Sequence, residues 1–279
     1  MKTKPSTRNI EKKNFACDVK PKKSLGQNFI LDKNLTDKIA KSAGSLIGYD
    51  VLEIGPGPGG LTRSIIDAGA RKVIAIEKDS RFIEPLTRLQ GMHPGKLTII
   101  NQDILNFKSL HSLKPPVKVI SNLPYNIGTQ ILINFIQMKS WPPYWTSLTL
   151  MFQTEVANRI VAQPRSKSYG RLSILTQSKT TPKILFKVPA SAFTPRPKVE
   201  SSVVQISPLS EPRYKNNEKS LQALVKLAFS KRRKMLRHSL RSLNSNIESA
   251  LEQVGIAPES RPEELSIENF CDLATVLKV

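Results

Sequence analysis

Between residues 49 and 151, short β-branched runs alternate with helical patterns, and this alternation constrains the fold more than any other feature of the chain. Strands are predicted at 51–54, 72–76, 97–100, 117–121 and 147–151. Helices are predicted between them at 61–68, 80–90 and 129–138. Strand, helix and strand in series require right-handed crossovers and a mainly parallel sheet covered on both faces. The sequence therefore predicts an α/β fold.

The remainder of the chain predicts an edge to this sheet and then a helical region. Two strands, at 184–188 and 202–206, follow helices at 153–162 and 169–179, and we expect them to close the sheet with an antiparallel edge. Prolines and asparagines at 207–217 mark a linker. Beyond it, apolar residues recur at helical spacing, at Leu221, Leu224, Val225 and Ala228 and again at Ile247, Leu251 and Val254. We expect a main domain over 21–207 and a small α-helical domain over 208–279.

Charge indicates the kind of partner. The 279-residue chain carries a net charge of +21, and a surface this positive attracts polyanions. Nucleic acid is the expected partner, and a membrane surface is the rival interpretation. We expect no membrane association, because no segment approaches the ~18 apolar residues of a spanning helix and no signal peptide follows Met1. Residues 1–20 are interpreted as a flexible basic arm.

Cysteine and histidine usage narrows the chemistry. Cys17 and Cys271 lie near opposite ends of the chain, and the three histidines form no cluster with them. We therefore expect no metal site and no disulfide, which suits a reduced cytoplasm. No serine lies in a Gly-x-Ser-x-Gly elbow, which disfavours a hydrolase.

A glycine-rich loop at 55–60, beginning with Gly55, follows the strand at 51–54 and opens a helix, where glycines let the backbone approach a ligand. Glu77 ends the next strand, about 20 residues on, where a carboxylate can accept both ribose hydroxyls of a nucleoside. Asp103 follows the third strand and is placed to accept from an adenine amine. For each of these acids taken alone, the alternative to a ligand contact is that the carboxylate is solvated at a strand end or caps a helix. A dinucleotide is the competing cofactor, but Glu53 repels a pyrophosphate and suits a cation, which favours S-adenosylmethionine.

Asn122, Leu123, Pro124 and Tyr125 follow the apolar run that ends at 121. An amide oxygen, a backbone carbonyl and an aromatic ring around one small space can hold a planar amine. The Asn122 oxygen and the Leu123 carbonyl would accept the two amine hydrogens, while Tyr125 stacks on the base. The alternative is a turn in which Asn122 caps a helix beginning near Asn126. Phe193 would cover the other face of the base, or else is a core residue under a loop.

These residues resemble the ribosomal RNA adenine dimethylases, specifically the small-subunit branch. The resemblance rests on stretches spread along nearly the whole chain: 23–29, 53–57, Glu77, 102–103, 122–127, 151–153, 169–173, 193–199 and 228–234. It implies that the main domain is a Rossmann-like methyltransferase that uses S-adenosylmethionine. It also implies donor contacts from Asn28, Ile30, Gly55, Glu77, Asp103 and Asn122.

The resemblance further implies the substrate, two adjacent adenosines in a hairpin loop near the 3′ end of small-subunit (16S) rRNA, each dimethylated. We expect a cytoplasmic monomer acting on a pre-30S particle. The large-subunit dimethylases that confer macrolide resistance are the alternative within the family. An RNA-binding assembly factor with secondary catalysis is the alternative of a different class, and a DNA adenine methyltransferase is disfavoured because the helical tail is short.

A segregated basic stretch is the predicted RNA-binding surface, and it is interpreted as continuing the helix that begins near 221. Its members are Lys231, Arg232, Arg233, Lys234, Arg237 and Arg241. The chain after 244 is acidic by contrast. One basic face of this kind is expected to contact phosphates, with an ordinary solvated helix face as the alternative.

Overall fold

The computed structural model describes residues 19–107, 113–138, 140–214, 218–231, 234–243 and 246–277. Its strands are β1 (Phe29–Ile30), β2 (Asp50–Ile54), β3 (Lys72–Glu77), β4 (Leu97–Asn101), β5 (Val117–Asn122), β6 (Trp145–Gln153), β7 (Thr180–Val188), β8 (Phe193–Thr194) and β9 (Ser201–Pro208). Its helices are α1 (Lys33–Ser42), α2 (Gly60–Asp67), α3 (Ile83–Met92), α4 (Gly128–Ile136), α5 (Thr154–Val161), α6 (Arg171–Gln177), α7 (Glu218–Ala228), α8 (Leu236–Ser239), α9 (Ile247–Gln253) and α10 (Ile267–Leu277). The predicted basic arm lies outside the described residues except for its last two positions.

The chain divides into two compact units, one of residues up to Asn126 with Ala190–Lys198 and the other of Ile127–Pro189 with Val199–Val279. The first unit holds four parallel strands in the order β4-β3-β2-β5. Every residue of β2 is buried, as expected for a parallel strand covered on both faces. The Rossmann-like α/β fold is thereby confirmed. The division at 207 stays a prediction.

A pairing that the sequence did not predict also lies in the first unit. β1 and β8 run antiparallel, with Phe29 opposite Thr194 and Ile30 opposite Phe193. The segment at 193–194, for which no strand was predicted, is therefore held beside the N-terminal segment. The pairing depends on residues more than 160 positions apart, as their numbers show, so no local pattern announces it.

In the second unit, β6, β9 and β7 form an antiparallel ladder, which confirms the predicted strand pair. β7 begins at Thr180, four residues earlier than predicted, because two β-branched threonines extend it. A helical core packs Tyr169, Leu224, Leu236 and Phe270 together. Within the described residues, no helix has the length and hydropathy needed to cross a bilayer.

The prediction that the basic stretch continues the helix beginning near 221 is wrong. Helix α7 ends at Ala228, and a single turn at Phe229–Lys231 follows before the short helix α8. Continuing the apolar spacing past Ala228 would bring Lys231 onto the buried stripe. Beyond the turn, the Leu236 N–H donates to the Ser260 carbonyl at 2.9 Å, and the Leu236 side chain is buried in the core.

Candidate active site

Four of the six predicted donor-site residues lie at or just beyond the carboxyl ends of β2, β3, β4 and β5, which share one edge of the parallel sheet: Gly55, Glu77, Asp103 and Asn122. The other two, Asn28 and Ile30, belong to the N-terminal segment. Cross-bonds join these ends. The Gly57 N–H donates to the Glu77 Oε2 at 2.9 Å, and the Asn101 amide donates to the Glu77 carbonyl at 2.8 Å. The structure thus brings together Gly57, Glu77 and Asn101, which lie at or near the ends of different strands along the sequence.

Glu77 is the most firmly held of the predicted donor contacts. Its Oε1 accepts the Asp79 N–H at 2.8 Å, so each carboxylate oxygen has one backbone donor. Burial raises its pKa, and the N–H groups of Asp79 and Gly57 act in the opposite direction. Only 5% of the residue is exposed, so the carboxylate is held by backbone donors and is not solvated.

A network around Asp79 supports Glu77 and was missed by the sequence analysis. The Gln27 amide donates to the Asp79 carboxylate at 2.9 Å, and Arg81 forms an ion pair with it at 2.5 Å. The Arg81 hydrogen bond is the main reason that the pKa of Asp79 is far below its usual range. The only sequence signal was the position of Asp79 two residues after Glu77.

The glycine loop is packed closely against β1. Gly57 has a φ of +53°, and a Cβ placed there would lie 2.7 Å from Cε1 of Phe29. The Phe29 ring is itself held edge-to-face against Phe82, with centroids 5.2 Å apart. Gly55 has a φ of +65°, and a Cβ placed there would lie 3.6 Å from the ring of Pro124, so the loop lies close to the segment that follows β5.

Gly57→Ala is therefore expected to disturb the site beyond its backbone strain. A left-handed alanine costs about 1 kcal/mol wherever it is placed, and at this position the Phe29 ring must also move. We expect a lower melting temperature and about tenfold weaker donor binding, a loss of about 1.4 kcal/mol. Gly95→Ala is the matched control, because Gly95 has a φ of +74° with nothing within 4 Å of its Cβ. Equal effects of the two variants in thermal melts and donor titrations would contradict a role for the Phe29 contact.

Asp103 lies two residues beyond β4 and caps the turn at Ile104–Asn106. Its Oδ1 accepts the Leu105 N–H at 3.0 Å, and its Oδ2 pairs with the Lys78 ammonium at 2.8 Å. The Lys78 hydrogen bond is the main reason that its pKa is lowered. The carboxylate therefore stays ionised, with lone pairs left for an amine donor. The structure therefore shows the cap alternative, and the contact to the donor stays a prediction.

Asn122 is the last residue of β5, and its amide is oriented by the N-terminal segment. The Nδ2 donates to the Asn28 carbonyl at 2.9 Å. No described residue donates a hydrogen bond to its Oδ1, which leaves that oxygen for a ligand. Helix α4 begins at Gly128 with Ile127 at its cap, so Asn122 does not cap a helix.

The aromatic residues meet beside this amide. The rings of Tyr125 and Phe193 lie edge-to-face, with centroids 6.4 Å apart and planes at 68°. Phe193 is only 3% exposed, and Leu123 is 2% exposed. Phe193 is therefore both a packed core residue and a wall of the same site. Ile30, its partner across β1 and β8, places its carbonyl 3.3 Å from a Cβ built on Gly60.

The charge assigned to Glu53 in the sequence analysis is wrong. Glu53 lies inside β2, not at the mouth of the loop, and is 1% exposed. Burial raises its pKa to about 8, and the neighbouring Glu77 acts in the same direction. The carboxyl is therefore mostly uncharged at neutral pH and does not repel an anion.

The basic residues of the second unit differ in their surroundings. Lys231, Lys234 and Arg241 are exposed. Arg237 is half-buried and pairs with Glu259 at 3.0 Å, so its charge is already engaged. Arg232 and Arg233 lie outside the described residues.

Residues 19–278 match the family described as ribosomal RNA adenine dimethylase. The chain belongs to this family. The chain is 54% identical over 257 residues to the "Ribosomal RNA small subunit methyltransferase A" of Ruegeria sp. (strain TM1040), with 92% of each chain covered. The protein of the same name from Roseobacter denitrificans is 53% identical over 257 residues, again with 92% of each chain covered.

Solved structures of rRNA adenine dimethylase relatives agree with the fold. A dimethyladenosine transferase from Plasmodium falciparum has a TM-score of 0.75 at 25% identity, covering 88% of this chain and 95% of its own. The 23S rRNA methyltransferase ErmE has a TM-score of 0.66 at 26% identity, covering 90% of this chain and 100% of its own. The family and the enzyme class predicted from the sequence are confirmed.

Proposed function

We propose that this dimethylase transfers methyl groups from S-adenosylmethionine to the exocyclic amines of two adjacent adenosines near the 3′ end of small-subunit rRNA. The observation that carries the proposal is the Asn122 amide. Its nitrogen is bonded to the Asn28 carbonyl, and its oxygen remains for a substrate amine at the edge that also holds Glu77 and the glycine loop. The names of the most similar relatives favour the small-subunit branch over the large-subunit one.

The residues present fit the donor, because Glu77 is buried, oriented by two backbone N–H groups and still has acceptor capacity for ribose hydroxyls. We assign the ribose to Glu77, the adenine to Asp103 and the loop contact to Gly55. Asn28 and Ile30 complete the site from the N-terminal segment. When bound, S-adenosylmethionine supplies an electrophilic methyl group on a sulfonium.

Asn122 and Leu123 prepare the substrate amine for methylation. The lone pair of an adenine amine is delocalised into the ring, and two acceptors that grip its hydrogens favour a pyramidal nitrogen. We assign these acceptors to the Asn122 oxygen and the Leu123 carbonyl, with Pro124 fixing the turn. Tyr125 stacks on the base. Phe193 supports the Tyr125 ring, because the two rings are in edge-to-face contact. No strong base is required, because alkylation acidifies the nitrogen, and the adenosine must be unpaired or flipped out.

We assign phosphate contacts to six basic residues: Lys231, Arg232, Arg233, Lys234, Arg237 and Arg241. Arg237 also forms an ion pair with Glu259. Phosphate contacts make RNA binding fall steeply with salt. The fuller proposal is a cytoplasmic monomer that acts on the rRNA of a pre-30S particle. Its support is the net charge of +21 and the small-subunit names of the relatives.

Mass spectrometry of rRNA from a deletion strain, with and without the restored gene, tests the function. We expect both dimethyladenosines near the 3′ end of the small-subunit rRNA to disappear and to return on complementation. An unchanged small subunit with an altered large-subunit rRNA would assign the enzyme to the ErmE-like branch. Unaltered rRNA together with subunit binding but no donor binding in calorimetry would support an assembly factor.

A further inference from the structure

Glu53 is a buried acid that the proposed chemistry does not use. It lies in β2, two residues before Gly55, and is 1% exposed. The Thr62 hydroxyl of α2 lies beside the carboxyl and partly offsets the effect of burial. The two side chains do not form a complete hydrogen bond, because neither the Glu53 Oε2 nor the Thr62 Oγ1 has a partner among the described residues. An acid and a hydroxyl are thus buried together, and each has an oxygen without a hydrogen-bond partner among the described residues.

The groups that face this carboxyl include no cation within the described residues. Thr62 faces it from α2 and Glu77 from β3, and Glu77 is an acid. β5, the other neighbour of β2, carries Lys118, but its ammonium is bonded to the carbonyls of Ala43 and Ser45. Among the described residues, the surroundings of Glu53 therefore hold no positive charge that would stabilise its ionised form, and a cationic ligand would supply one.

We propose that Glu53 is uncharged in the free enzyme and loses its proton to solvent when the cationic methyl donor binds at the adjacent loop. The neutral thioether product gives no such stabilisation, so the proton returns after transfer. Glu53 is therefore a positioning residue that lets the site distinguish S-adenosylmethionine from S-adenosylhomocysteine by charge. The inference rests on the proposed donor site.

The geometry of the loop supports this coupling. Glu53 is joined to the loop through the backbone, Thr62 lies in the helix that the loop opens, and the Gly57 N–H is bonded to Glu77. The two acids act on each other electrostatically, because each is buried. A positive charge beside the loop lowers the cost of ionising both acids.

Isothermal titration calorimetry in two buffers of different ionisation enthalpy measures the protons released by the full-length protein. For the wild-type protein at about pH 7, we expect release of close to one proton per S-adenosylmethionine, since an acid with a pKa of about 8 is mostly protonated there. Affinity for the donor is expected to rise by up to about tenfold per pH unit between about pH 6 and pH 8. S-adenosylhomocysteine is expected to show little of either effect.

Glu53→Gln is the matched variant, because it keeps the shape and the uncharged state. The donor's own amino group titrates near about pH 8, and its contribution remains in this variant. We expect proton release to fall to that residual value, with donor affinity near wild type at about pH 6 and roughly 50-fold weaker at about pH 8, where the wild-type rise has accumulated over two pH units. Proton release equal to wild type, or the same release with the thioether, would overturn the proposal.

Two further measurements keep the inference testable if Glu53→Gln folds poorly. Thr62→Val removes the hydroxyl that favours ionisation, so proton release should shift to higher pH. Where both proteins fold, wild-type stability should fall relative to Glu53→Gln as pH rises from 4.5 towards 8, because the folded state holds this proton more tightly than the unfolded chain. No shift in Thr62→Val would contradict the role of the hydroxyl. Absent donor binding in the wild-type protein would contradict the proposed function itself, whereas binding without proton release contradicts only the role of Glu53.

Discussion

Asn122→Ala is expected to lower the rate of methyl transfer to small-subunit rRNA by about 1,000-fold, the scale seen when one preorganised polar group is removed from an active site. The Asn122 oxygen is the acceptor assigned to the substrate amine, and its nitrogen is fixed by the Asn28 carbonyl at 2.9 Å. Alanine supplies neither atom. Single-turnover transfer of radiolabelled methyl groups to unmethylated small subunits measures the effect.

Donor affinity separates loss of chemistry from loss of folding in this variant. We expect calorimetry to give an affinity within about threefold of wild type, a difference below about 1 kcal/mol, because Glu77 and the loop are unchanged. Asn134→Ala is the matched control, since Asn134 is exposed on α4 and bonds only Gln130 among the described side chains. A transfer rate within tenfold of wild type in Asn122→Ala would remove Asn122 from the mechanism.

Glu77→Gln is expected to weaken donor binding by about 100-fold, or about 3 kcal/mol, the upper range for hydrogen bonds to a charged group. Both carboxylate oxygens accept backbone N–H groups, from Gly57 at 2.9 Å and Asp79 at 2.8 Å. A glutamine amide has only one acceptor, so its NH₂ would face one of these donors. The variant therefore loses the ribose acceptor and also loosens the loop. Calorimetric titration with S-adenosylmethionine checks the change.

Glu84→Gln is the control for the same chemical change on the surface. Glu84 lies on α3 with its side chain 81% exposed and forms an ion pair with Arg88, so donor affinity should not change. Thermal melts establish that Glu77→Gln is folded at the temperature of the titration. A folded Glu77→Gln protein that binds the donor like wild type would contradict the ribose assignment.

Local sequence patterns predicted much of the site because its residues occupy strand ends. In a parallel sheet all carboxyl ends meet at one edge, so identifying the strands before Glu77 and Asn122 was enough to place these residues together. The glycine loop followed from the same pattern. The family resemblance added Asn28 and Ile30, which no periodicity indicates.

Contacts between residues far apart in the sequence could not be predicted from local patterns. The β1–β8 pairing sets Phe193 against Tyr125, and it joins segments whose separation in sequence carries no local signal. The network of Gln27 with Asp79 is of the same kind. The end of α7 at Ala228 was also not predicted, and Leu236 beyond it is buried in the helical core.

The sequence by itself determined the α/β fold and the edge of the sheet where the predicted site residues gather, because hydrophobic periodicity and the alternation of strands and helices are local properties. It determined the family through short motifs, which are also local. The tertiary structure alone decided which charges exist there. The sequence shows that residue 53 is a glutamate, but only the fold shows that burial in β2 raises its pKa to about 8 and leaves it mostly uncharged at neutral pH. The state of an ionisable group depends on solvation by neighbours from the whole fold, and only the folded chain supplies them.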